Sequence, residues 1–219
     1  MKELSSFAQY VHCFEKYKFA ISIALEILIF MGFFTSWGLI MLSVYTMITP
    51  PPIVWISIIV VFIISYKLSM LTLRKLAPNV IKDPELRKIR RLGNAVWAFS
   101  FVMVAVICII ILQLMELSLK YIIFLFSCSW YYAVALAFII EGLTVERKEV
   151  KMKYLPVESA LITGTIMAVL SPLLILPLML VEDLNAIYAS YMLAVAFSLL
   201  STIIGVLALI WKADKILLD

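Results

Sequence analysis

Few side chains in this 219-residue sequence could do chemistry, and most of those sit in apolar surroundings. Glu26 and Lys67 each fall inside a long hydrophobic stretch, where an ionised group is expensive enough to suggest a role. Glu26 lies eight residues after Lys18, and Lys67 lies seven before Arg74, a match that would let the two form an ion pair. Measured from the Thr49–Pro52 turn between them, their depths differ by about 12 Å. On that count they sit apart, with Lys67 reaching the headgroups by snorkelling. The run Ser127-Cys128-Ser129-Trp130-Tyr131-Tyr132 gathers hydroxyls and rings in the middle of another apolar stretch. Tyrosine hydroxyls removed from water need acceptors, so Ser129, Tyr131 and Tyr132 are candidates to line a pathway or to brace neighbouring helices. Pro172 and Pro177 interrupt a further stretch; each frees a carbonyl, marking a candidate gate or a structural kink.

Enzyme signatures are missing. The single histidine, His12, lies outside the apolar stretches, and no HExxH, GxSxG or GxxxxGK[ST] arrangement occurs. Cys108 and Cys128 fall at similar depth on adjacent stretches, but with no further ligands nearby they read as small packing residues. Cys13 would face a reducing compartment. The sequence therefore calls for no catalytic site, no metal and no cofactor.

Composition states the setting for these groups. Hydrophobic residues make up 65% and charged residues 15%, with a mean hydropathy of +1.11, well outside the range of soluble domains. The apolar residues cluster in stretches long enough to cross hydrocarbon, at about 19–48, 53–73, 94–115, 119–140, 159–181 and 186–211. The fold expected is all-α: a polytopic membrane protein of six transmembrane helices in three short-turned hairpins. Nothing at the start resembles a cleavable signal peptide, so the first stretch is read as an anchor. At about 30 residues it must tilt, break or begin outside the hydrocarbon. Residues 1–18 are expected to form an amphipathic interfacial helix, since Leu4, Phe7, Val11 and Phe14 recur at helical spacing.

Basic residues sort by side. Seventeen of the 18 lysines and arginines lie in the N-terminal segment, in 67–91, in 147–153 or in the tail, and only Lys120 lies in an alternate loop. The positive-inside rule then places both termini and the basic loops in the cytoplasm of a plasma-membrane protein. Arg87, Lys88, Arg90 and Arg91 form one candidate coupling surface, and Arg147, Lys148, Lys151 and Lys153 a second. Both could equally be solvated topology signals. The net charge of +4 fits anionic lipid headgroups, and the lipid bilayer is the partner it implies; no nucleic acid is needed. Trp97, Tyr154 and Trp211 at the inner ends of the stretches, and Trp55, Tyr121 and Tyr188 at the outer ends, read as interfacial belts.

Helix packing in lipid relies on small residues at four-residue spacing. The last stretch has Ala186, Ser190, Ala194, Ser198 and Thr202; the fifth has Ala160, Gly164 and Ala168; the fourth has Ser129, Ala133 and Ala137. A tight C-terminal cluster is expected from these stripes.

The segment Glu146-Arg147, then Leu155-Pro156-Val157, then Gly164 opening a span, resembles the cytoplasmic loop of permeases of ABC exporters of the second type. That resemblance implies six spans, an N-terminal interfacial helix, cytoplasmic termini, and dimers coupled to separate ATPase subunits. Here the motif follows the fourth expected span, whereas in that family it follows the second. Val150-Lys151 stands where a Gly-Thr is usual, and Thr165 follows the glycine in place of lysine. Two functions are compatible with this reading: a permease or channel-like subunit driven by a partner protein, and a non-transporting scaffold of a larger membrane complex.

Overall fold

The computed structural model describes residues 2–45, 82–181 and 185–218, with isolated positions between 60 and 75. Apart from those positions, the expected second span lies outside the described residues. Every regular element among the described residues is helical: α1 (Lys2–Tyr45), α2 (Pro84–Leu114), α3 (Leu119–Glu141), a π turn (Gly142–Glu146), α4 (Arg147–Lys151), α5 (Ser159–Leu170), a 3-10 turn (Ser171–Ile175), α6 (Leu176–Leu180) and α7 (Asn185–Leu218). Among the described residues, four helical stretches are long and apolar enough to cross a membrane: 84–114, 119–151, 159–180 and 185–215.

Several boundaries differ from the hydropathy reading, and in each case the helix runs on past the apolar stretch. Residues 2–18 run into the first stretch as one uninterrupted helix to Tyr45, with neither proline nor glycine at the junction. The basic segment before the third stretch is likewise the first turns of α2. Asp83 caps that helix by accepting from the Glu85 amide at 2.9 Å, and Pro84 fills the first position, where no amide hydrogen is needed. At 31 residues α2 is about 46 Å long, half as long again as a hydrocarbon core, so its basic end stands clear of the apolar part.

The helices pack in a chain of neighbours. Trp97 meets Phe138 and Glu141, while Val104 and Cys108 pack with Ala133, so α2 and α3 run antiparallel. Gly142 faces Leu161 and Tyr131 bonds to Met167, so α5 runs antiparallel to α3 as well. α7 packs against α3, α5 and α6 and, most extensively, against α1. All five residues of the expected α7 stripe are buried at 0–1% exposure, which places α7 at the centre of the C-terminal cluster. In the α5 stripe Ala160 and Gly164 are buried, but Ala168 is exposed.

Pro172 and Pro177 each open a new element: the 3-10 turn and α6. The segment ends on carbonyls that no further helical turn can use. Lys120 supplies the donors, its Nζ reaching Leu178 O at 2.6 Å and Val181 O at 2.5 Å. This accounts for the one basic residue found away from the basic segments: a cation at a helix C-terminus satisfies carbonyls and complements the dipole. Lys120→Met is expected to lower stability by about 1–3 kcal/mol, read as thermal unfolding in detergent, with faster amide exchange confined to 176–181.

Candidate functional site

The polar groups of the bundle converge at its basic end, around the π turn. In a π turn each amide reaches back five residues; here the Arg147 amide bonds to Gly142 O. The π turn lies between Glu141 and Glu146, and Glu149 follows three residues after Glu146.

Each carboxylate has a partner. Arg90 of α2 donates from Nε to Glu149 Oε1 at 3.0 Å and from Nη2 to Oε2 at 3.5 Å, while its Nη1 donates to Glu26 Oε2 of α1 at 3.0 Å. The Glu149 side chain is fully buried, whereas those of Arg90 and Glu26 are 26% and 20% exposed. The Phe19 ring lies 5.1 Å from the guanidinium. Glu141 accepts from Trp97 Nε1 at 2.7 Å. Glu146 accepts from Ser159 Oγ at 2.8 Å and from the Ala160 amide at 2.6 Å, tying the π turn to the first turn of α5. A buried carboxylate is tolerable only with such donors.

Between these anchors the chain makes a tight reversal. α4 closes with Tyr154 N–H on Glu149 O and Lys153 N–H on Val150 O, both at 2.9 Å, the bonding pattern of a Schellman motif. The left-handed position of that motif normally holds glycine, and here it is Lys153, at φ 60°. Lys153→Gly should stabilise the protein by about 0.5–1 kcal/mol, seen as a higher unfolding temperature. The Tyr154 hydroxyl then donates to Asp83 Oδ2, so the residue capping α2 also receives the reversal.

That hydrogen bond and the Glu85 amide hold the Asp83 carboxyl below the usual carboxylate range, and the Asp83 bond is the main cause pushing Tyr154 up to about 12. The signs are opposite in origin but act on one contact. Its stabilisation is complete between about pH 4 and 10. It is lost in acid, as Asp83 gains a proton through its lowered pKa, and in alkali, as Tyr154 ionises near 12. Asp83→Asn should remove both slopes from the pH dependence of unfolding, and tyrosinate absorbance, compared with Tyr154→Phe, should report the late titration.

The remaining residues singled out in the sequence are placed as follows. Glu26 pairs with Arg90, and Lys67 is exposed. Arg87, Lys88, Arg91, Arg147, Lys148, Lys151 and Lys153 all face outward, so Arg90 alone of the eight basic candidates turns inward. Trp97, expected in an interfacial belt, is partly buried, stacks between Phe30 and Phe101 and donates to Glu141. Tyr131 is fully buried and braces α3 to α5 through Met167 O at 2.9 Å. Tyr132 is half-buried, and Ser129 bonds to Phe126 O within its own helix. Trp130 beside them is buried, with no acceptor for its indole N–H among the described residues.

The carboxylates of Glu141, partly buried, and of Glu146 and Glu149, both buried, are not legible from spacing read on a regular helix. The available signal was the five-then-three interval beside Gly142. No family model, curated protein or solved structure matches the chain.

Proposed function

We propose that the chain is the permease-type subunit of a transport system driven by a separate cytoplasmic protein, an ATPase by its expected class. In this reading it has six spans in three hairpins in the plasma membrane, with both termini in the cytoplasm, and works as a dimer. The observation that carries the reading is the construction of residues 146–160. A free loop would need no internal anchors, yet this one is held from beneath by Glu146 and Glu149 and presents Arg147, Lys148, Lys151 and Lys153 outward. The left-handed Lys153 adds support, since strained backbone gathers at working surfaces. Force applied to the outer face would pass through Glu149 and Arg90 to α2 and α1, and through Glu146 to α5. A surface so connected suits a part that is pushed by a partner.

The test is purification from native membranes, with and without combined Lys148→Glu, Lys151→Glu and Lys153→Glu. An ATPase that co-purifies with the wild type and is lost from the variant supports the reading. A stable complex without ATPase activity, unaffected by charge reversal, would replace it with the scaffold alternative.

A further inference from the structure

The two arms of Arg90 are unequal. Towards Glu149 the guanidinium makes two contacts, to a carboxylate with no exposure. Towards Glu26 it makes one, to a side chain 20% exposed. The elements behind these carboxylates also differ. Glu149 belongs to a corner fixed through Glu146, Ser159 and Tyr154. Glu26 belongs to α1, which packs along α7 and meets α2 through side chains: this ion pair, Phe19 near the guanidinium, and Phe30 stacked on Trp97 at 6.1 Å. An ion pair whose two side chains are both partly in reach of water is screened more than a fully desolvated one. A desolvated, doubly bonded one is hard to separate without leaving a charge buried and unpaired.

We propose that Glu26–Arg90 is a releasable latch between α1 and the α2–α4 corner, and that Arg90–Glu149 is its fixed half. Release lets the Glu26 carboxylate hydrate while the guanidinium keeps its buried partner, so no charge is stranded. The movement allowed is a tilt of α1, on its packing against α7, away from α2. The corner stays closed during it. The latch rests on this geometry and holds whether or not the chain is a permease.

Spin labels test it in the full chain in nanodiscs, on a Cys13→Ser, Cys108→Ala, Cys128→Ala background. Labels at Leu25→Cys and Lys88→Cys report α1 against α2, and labels at Lys88→Cys and Lys148→Cys report α2 against the corner; all three positions are exposed. Glu26→Lys, which sets two cations face to face, should add a longer component to the first distance and leave the second unchanged. Glu26→Gln, nearly isosteric, should add a smaller share of that same component, and it carries the test if the reversal fails to fold. Glu149→Gln should widen the second distance. A first distance unchanged in a folded Glu26 variant, or a second that lengthens with it, would overturn the latch.

Discussion

Arg90→Ala is expected to destabilise the protein by about 3–5 kcal/mol, among the largest effects of any single truncation in the chain. The size comes from what remains. Glu149 has no exposure and would keep its carboxylate without a cation, and Glu26 would lose its partner at the same time. Removing both sides of the buried pair should cost far less: Arg90→Met with Glu149→Leu removes the stranded charge, and such apolar replacements are often neutral or better. The ordering is the point. Arg90→Ala should be worst, Glu149→Gln intermediate, and the double replacement closest to wild type in chemical or thermal unfolding. If the double replacement were as damaging as the sum of the singles, Arg90 and Glu149 would not be acting as one unit.

Glycine replacement at the helix crossings should be comparably severe. A Cβ on Gly205 would stand 2.1 Å from Thr163 Oγ1 and 2.9 Å from Ser159 O. One on Gly164 would stand 2.7 Å from Ile139 N and 2.9 Å from Ala135 O. Helices in lipid gain nothing from hydrophobic exclusion between them, so lost contact is not recovered elsewhere. Gly205→Val and Gly164→Val should each lose about 3 kcal/mol, at the upper end for overpacked sites. The two positions should differ in rescue. The worst clash at Gly205 is with a side chain, so Thr163→Ala should restore part of the loss in Gly205→Ala. At Gly164 the nearest atoms are backbone, so trimming Ile139 should help little. Equal rescue at both would mean that the helices separate freely.

These two results mark what the sequence could and could not tell. Ala186, Ser190, Ala194, Ser198 and Thr202 announced the buried face of α7, because small residues every four positions have one natural use in lipid. Gly164 belonged to the same pattern, and the bracing role of Tyr131 was open to its hydroxyl, which needs an acceptor away from water. The Arg90 corner was hidden for two reasons. Counting charges along the chain assigns a side to a segment but cannot say which of Arg87, Lys88, Arg90 and Arg91 turns inward. The π turn also shifts the register by one residue, so the directions of Glu146 and Glu149 relative to Glu141 cannot be counted off a regular helix. Lys120 was visible as an exception and gained its reason only when Leu178 and Val181 were placed beside it. The continuity of residues 2–18 with the apolar part of α1, and of 84–91 with that of α2, was not marked because hydropathy shows only where a helix is apolar.

Amide hydrogen exchange across 146–160, in lipid nanodiscs, tests most directly whether this stretch is an anchored corner. Tyr154 N–H is bonded to Glu149 O, and Ala160 N–H to the Glu146 carboxylate. Both should exchange slowly in the wild type; Glu146→Ala should release the Ala160 amide, and Arg90→Ala the Tyr154 amide. Exchange of the whole segment at the rate of an unstructured loop, in folded wild-type protein, would contradict the account.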